Sequence, residues 1–371
     1  MSLPMNNVKI FFNDVEYFKC TSISCQHSID GFIALKTTTI QGIATQLRFK
    51  DFLDILANKN TMIARVEIYD KVWQKGFISL TDINYSIDDN GFRITIVLND
   101  LLSTLKTSDI VEVLYLKNKT LQGTLQSIFK ELNIKDYKII NGTDIKIIDL
   151  ANGGDVETNG YISCEQFLGN ICSLYQLILI SNGVDAISIE KYNANQEIID
   201  NFIVKCNDGK VITSNVSFVE KTGNQNVNNA SKIVILNTEP TNTDKNTSVI
   251  VNFVNGTPNT QQIRTIAMKA SYKQISQAIT YQMMGMNMVA NSYVYKLSVK
   301  IFDKNKQFFR VNHLINVLDE QLGIDDKMNI IGIALTIDSQ SGTNTIFNLT
   351  NQESVSTIGN LKNKKSLMKK R

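Results

Sequence analysis

The sequence predicts a mainly β protein with an α+β insert. Three observations carry that reading. Period-two apolar runs fill about the first hundred positions, and such runs return after residue 203. Only the stretch between them carries helical spacing joined to short strands. At 371 residues and 41.7 kDa the chain is long for one domain, since about 150 residues per domain is usual.

In the first region Val8, Ile10 and Phe12 alternate with Lys9 and Phe11, and Asn13-Asp14 offers a turn. Ile23 and Cys25 alternate with Ser22, Ser24 and Gln26, and residues 32–40 read as a further strand. Residues 62–69 alternate cleanly, and Asp70-Lys71 is the expected turn into 72–77. Residues 50–58 are helix-like. Ile83 opens another strand, and Asp89-Asn90-Gly91 is a hairpin turn because Asn-Gly tolerates positive φ. Phe92, Ile94, Ile96 and Leu98 follow at period two. Short strands in this number suggest a small antiparallel barrel.

The pattern changes near Leu101. Thr120 is a fitting N-cap for a helix whose inner stripe is Leu121, Leu125, Ile128, Phe129 and Leu132. Residues 134–140 and 145–150 read as strands. Ser163 and Gln166 form a capping box for a helix carrying Phe167, Leu168, Ile171, Cys172 and Tyr175. Residues 177–180, the turn Ser181-Asn182-Gly183 and residues 186–189 make a hairpin, completing a compact α+β domain.

Strand signals resume at 203–206, Ile212 and 231–236. Asn- and Thr-rich stretches at 222–229 and 237–260 read as exposed loops, apart from the apolar run Val249-Ile250-Val251. Residues 263–281 are expected to form an amphipathic helix leading into Met283, Met284, Met286 and Met288, a cluster that reads as core packing or as an adaptable contact surface. Tyr293, Tyr295, Leu297 and Val299 alternate; then Asp303-Lys304-Asn305-Lys306 turns the chain into strands over 308–317, 328–337 and 343–349. The tail carries Lys362, Lys364, Lys365, Lys369, Lys370 and Arg371 and reads as a solvated end.

Composition narrows the function. Thirty-eight basic and 35 acidic side chains leave a net charge of +3, too even to argue for nucleic-acid or membrane-surface binding by the whole chain. About one residue in nine is Asn, so the Asn-x-Ser/Thr triplets carry no weight as glycosylation sites. The first seven residues do not form a secretory signal, and no run nears the roughly 18 apolar residues that span a bilayer. The five cysteines (Cys20, Cys25, Cys164, Cys172, Cys206) include no CxxC pair and read as buried reduced thiols rather than zinc ligands or a disulfide framework.

No chemical constellation emerges. GxSxG, HExxH and the phosphate loop are missing. His27, in an alternating strand with polar neighbours, reads as a surface or hydrogen-bonded histidine, and so does His313. Trp73 reads as a strand anchor. Asp319-Glu320 and Asp325-Asp326 read as turn residues between strands. No catalytic, metal or cofactor-binding residue is therefore assigned, and no cofactor is expected.

The last region carries a resemblance. Phe309-Arg310-Val311-Asn312 precedes Asn316-Val317-Leu318-Asp319, then Leu322-Gly323-Ile324, an Ile-rich strand ending at Asp338, and Gly342-Thr343. This resembles the C-terminal barrel of the baseplate hub proteins of Mu-like contractile-tailed phages, which are related to the hub region of type VI secretion spikes. Residues 8–17 look like that family's opening hairpin, Gly76-Phe77-Ile78 falls where it has Gly-Tyr-Val, and Asn99-Asp100-Leu101-Leu102 resembles its exit from the first barrel. Val311 stands where the family usually has Pro, and Phe302 where it tends to have Trp.

The resemblance implies two similar antiparallel barrels, at 1–108 and at 203–255 with 293–352. It also implies an α+β domain at 109–202, an inserted helical arm at 256–292 and a basic flexible tail at 353–371. It implies a homotrimeric ring adapting a sixfold tail tube to a threefold spike in a virion baseplate made in the host cytoplasm. Tube, spike and wedge proteins are the implied partners, with no specific nucleic acid, no membrane span and no enzymatic activity. The alternative is an all-β tail-associated protein that binds or hydrolyses cell-wall glycan. That reading requires a cleft with converging carboxylates.

Overall fold

A computed structural model describes residues 5, 7–44, 46–59, 61–88, 91–110, 120–135, 137–141, 162–175, 177–191, 198–207, 210–213, 216–223, 230–237, 248–252, 264–270, 293–299, 303–304, 307–320 and 324–351. It is mainly β. The first part comprises β1 (Val8–Phe12), β2 (Lys19–Asp30), β3 (Ile33–Ala44), α1 (Gln46–Lys59), β4 (Thr61–Ile68), β5 (Lys71–Ser79), β6 (Ile83–Asp88) and β7 (Gly91–Asp100). The expected alternations place Val8, Ile10, Phe12, Ile23 and Cys25 in one core with Trp73, Ile94, Ile96 and Leu98. The turn after β4 lies one residue earlier than expected. Tyr69 and Asp70 take φ of 50° and 59°, and Tyr69 N–H donates to Asn7 O at 2.7 Å, leaving Lys71 to pair with Ile68.

The middle part comprises α2 (Thr104–Thr107), β8 (Asp109–Ile110), α3 (Leu121–Glu131), β9 (Lys138–Ile140), β10 (Ile162–Ser163), α4 (Cys164–Tyr175), β11 (Leu177–Ser181) and β12 (Ala186–Lys191). Both expected caps are present: Thr120 Oγ1 accepts from Gly123 N–H at 3.1 Å, and Ser163 Oγ accepts from Gln166 N–H at 3.1 Å. The apolar stripes of α3 and α4 close on β11 and β12 in a second core, which also takes in Phe32, Leu102 and Leu105. β11 runs parallel to β3 and β9 parallel to β12. The strand expected at 145–150 lies outside the described residues.

The last part comprises β13 (Ile198–Asn207), β14 (Lys210–Thr213), β15 (Val216–Gly223), β16 (Ala230–Asn237), β17 (Ser248–Asn252), β18 (Arg264–Ala270), β19 (Tyr293–Val299), β20 (Asp303–Lys304), β21 (Gln307–Phe308), β22 (Leu314–Asp319), β23 (Ile324–Asp338) and β24 (Gly342–Asn351). Several expectations fail here. The helix over 263–281 is replaced at 264–270 by β18, parallel to β16 in a three-stranded sheet. Arg264-Thr265-Ile266-Ala267-Met268-Lys269 alternates as well at period two as at helical spacing, and an available partner strand decides such a case. Asp325 and Asp326 sit inside β23, where they pair with Leu318 and Val317. The Met cluster and the basic tail lie outside the described residues.

The quoted motifs of this region have physical roles. The strand expected over 308–317 is broken, because Asn312 takes φ of 67°, a conformation Asn tolerates, and turns the chain between β21 and β22. Its N–H donates to Ile330 O at 2.7 Å. Asp319 is buried rather than a turn residue and accepts the Tyr295 hydroxyl proton at 2.7 Å. Asp338 Oδ1 accepts from the N–H groups of Gln340 (2.8 Å) and Ser341 (3.1 Å), ordering the turn that ends at Gly342, φ 77°.

Among the described residues seventeen of the strands, from all three parts, join in one antiparallel-rich sheet that is not closed. The cause is β23: at fifteen residues it is long enough for its second half to pair with β24 on one edge and β2 on the other.

Within this sheet one strand order occurs twice. In the first part β4, β5, β7, β3 and β2 are successive antiparallel neighbours. In the last part the same order is β22, β23, β24, β19 and β15. Chain order agrees as well, with β2, β3, β4, β5 and β7 matching β15, β19, β22, β23 and β24. Even the irregularities agree. The β2–β3 ladder shifts register between Cys20 and Ser22, and the β15–β19 ladder shifts between Val216 and Phe218, three residues before Ile23 and Val219 respectively. One departure is clear: β1 is antiparallel to β4, whereas β13, in the corresponding place, is parallel to β22.

Candidate assembly surface

The residues singled out by type do not converge. His27 is buried, contrary to expectation, and neither ring nitrogen has a hydrogen-bond partner. Period two puts it on the inner face with Ile23 and Cys25, and β23 covers it, His27 lying opposite Ile333. Burial, then the nearby Lys36, Arg310 and His313, hold its pKa well below the ordinary imidazole value. His313 accepts from Arg310 N–H at Nδ1 (3.2 Å), and burial and Arg310 hold its pKa at about 3. Cys20, Cys25, Cys164 and Cys172 are buried free thiols, and burial raises all four, Cys20 and Cys25 to about 12. Among the described residues no three His, Cys, Asp or Glu side chains come close enough to hold a metal ion. A cleft of about 320 Å³ is lined by residues that include Thr21, Gln41, Asn84, Tyr85, Arg93 and Thr95, and its lining includes no carboxylate.

Two polar clusters hold the parts of the chain together. In the first, Lys36 is buried with its Nζ 3.1 Å from Trp73 O and 4.1 Å from the Trp73 ring centroid. Asp100 accepts from Lys36 N–H (3.3 Å), Leu102 N–H (2.9 Å) and Tyr137 OH (3.3 Å), and Tyr137 also meets Ser181 Oγ at 2.9 Å. Burial outweighs pairing at both charges: it pulls Lys36 down to about 8 despite Asp100, and it raises Asp100 despite its donors. Gln74 seals the cluster by donating to Lys36 O (3.0 Å) and Leu98 O (3.3 Å). In the second cluster, Glu190 at the end of β12 accepts from Arg310 Nη1 (2.7 Å), Asn312 Nδ2 (2.9 Å) and Ser188 Oγ (2.7 Å). Trp73, the expected strand anchor, is buried and meets Phe308 of β21 edge-on at 5.0 Å, so it too spans the first and last parts.

The feature that asks for a partner lies on β6. Among the described residues β6 has one ladder neighbour, β7, and its other edge is open. Tyr85 and Ile87 on this strand are 56% and 68% exposed. The repeated strand order identifies their counterparts. Ile83-Asn84-Tyr85-Ser86-Ile87-Asp88 precedes the hairpin to Gly91, and Ile333-Ala334-Leu335-Thr336-Ile337-Asp338 precedes the hairpin to Gly342. Leu335 and Ile337 are 1% and 2% exposed, because β2 pairs with that edge and both side chains enter the core of the first part. The spacing Ile-x-x-x-Ile-Asp, repeated 250 positions apart, was a readable sequence signal for this surface.

The fold has known counterparts. No family model matches the sequence, and no curated protein matches it by sequence. A tail protein from Neisseria meningitidis MC58 superposes with a TM-score of 0.72 at 11% identity, over 93% of this chain and 96% of that one. The 43 kDa tail protein of prophage MuSo2 from Shewanella oneidensis gives 0.72 at 15% identity, over 94% and 99%. An Escherichia coli component of the type VI secretion system, described as structurally similar to two T4 phage tail proteins, gives 0.56 at 9% identity, over 92% and 76%. The chain has the fold of these tail proteins along nearly its whole length.

Proposed function

We propose that this chain is a structural baseplate hub protein of a contractile phage tail or tailocin-like particle. Three copies form a ring that joins a sixfold tail tube to a threefold spike. The observation that carries the reading is the doubled strand order, β4-β5-β7-β3-β2 and β22-β23-β24-β19-β15. Two related units per chain, in three copies, present six similar faces to a tube and keep threefold symmetry for a spike. The shared fold of the Neisseria and Shewanella tail proteins supports the setting.

In this reading 1–108 and 203–255 with 293–352 are the two related units, 109–202 is the α+β domain and 256–292 is an inserted arm. Tube, spike and wedge proteins are the partners, the virion baseplate is the location, and the role requires no catalysis. An acidic-residue cleft for glycan hydrolysis has no counterpart in the described cleft, whose polar lining is amide, hydroxyl and guanidinium. Light scattering of the purified chain tests the proposal. A mass near three times 41.7 kDa at micromolar concentration is expected; a one-chain mass that persists as concentration rises would refute it.

A further inference from the structure

The β2–β23 junction inside the chain is half of a repeating pattern. β2 is the end strand of the first repeat, and it adds to the edge formed by the second half of β23. Its counterpart in the last part is β15, whose one ladder neighbour among the described residues is β19. The counterpart of the second half of β23 is β6, whose outer edge is open. Each chain thus joins one such pair internally and leaves one member of a second pair at either end.

We propose that β15 of one copy adds antiparallel to the open edge of β6 in a second copy, repeating the β2–β23 ladder between chains. This rests on the trimeric hub reading and gives it a contact. The register follows from the internal copy. Ile23 lies opposite Ile337, and Cys25 opposite Leu335. The ladders on either side equate Ile23 with Val219, Cys25 with Lys221, Leu335 with Tyr85 and Ile337 with Ile87. Val219 of one copy therefore lies opposite Ile87 of the next, and Lys221 opposite Tyr85.

Three observations favour a second copy as the occupant. The contact continues an interface that the chain already makes with itself. The two exposed apolar residues on β6 occupy the positions that this interface buries. A head-to-tail contact of this kind also closes into a ring when rotation permits, and closure covers edges that otherwise invite uncontrolled pairing.

The test is cross-linking of the full chain. Ile87→Cys with Val219→Cys, treated with a short bis-maleimide, is expected to give covalent two- and three-chain species on a denaturing gel. Either single variant should give none, and Ile87→Cys with Glu220→Cys should give none, because a one-residue slip turns the thiol to the opposite face. Ile87→Asp, at a position exposed within one chain, is expected to lower assembly at least tenfold and leave the melting curve of the single chain unchanged. Absent cross-links with an intact three-chain mass, or Ile87→Asp assembling normally, would overturn this contact and leave the hub reading standing. A wild-type chain that stays single at all concentrations would overturn both.

Discussion

Trp73→Ala is expected to cost about 3–5 kcal/mol, the range for truncating a large buried aromatic. The indole is 2% exposed, stands edge-on to Phe308 at 5.0 Å and carries the Lys36 ammonium over its face at 4.1 Å. Removing it opens a cavity where β5 meets β21 and takes the ring from beneath a buried cation. Since Trp73 belongs to the first core and Phe308 packs against that core from the last part, the damage should reach both parts together. A urea titration followed by far-ultraviolet circular dichroism checks this: the midpoint should fall markedly, and Trp73→Phe should restore much of the loss. A midpoint unchanged in Trp73→Ala would mean that the contact with the last part contributes nothing.

The second large effect is expected at Asp100. Asp100→Ala removes the acceptor for Lys36 N–H, Leu102 N–H and Tyr137 OH at once. It also removes the nearby carboxylate whose field favours the Lys36 charge, and each buried donor left without an acceptor costs about 1–3 kcal/mol. Asp100→Asn keeps an acceptor and should cost less, while the double change Asp100→Ala with Lys36→Met should recover part of the loss, because it also removes the buried charge that the Asp100 field favours. Thermal melts of the three variants decide the matter; a double variant no more stable than Asp100→Ala would show that the charge of Lys36 is not what makes the site costly.

The sequence disclosed local structure better than assembly. Thr120 and Ser163 announced their helices because a cap is a local arrangement of hydroxyl and backbone N–H. Gly342 stands at a real hairpin turn, where its positive φ suits a residue without a Cβ, whereas Asn312 turns the chain inside a stretch that alternation had made a single strand. His27 was misread because its neighbours Ser28 and Gln26 are polar, and only the arrival of β23 on the far edge of β2 turns its face into an interior. The strand at 264–270 was misread because its partner, β16, is distant in sequence. The continuity of the sheet was hidden for the same reason: pairing of residue 22 with 338 leaves no mark near either residue. The β6 surface was partly legible, since Ile83-Asn84-Tyr85-Ser86-Ile87-Asp88 and Ile333-Ala334-Leu335-Thr336-Ile337-Asp338 share their pattern; that one is covered and the other bare became visible only with the fold.

Electron microscopy of the assembled particle along its axis tests the central claim most directly. Two related units per chain in three copies require a ring whose rotational power spectrum peaks at order three with a strong component at order six. A ring with twofold or fivefold power, or threefold power with nothing at order six, would contradict the account.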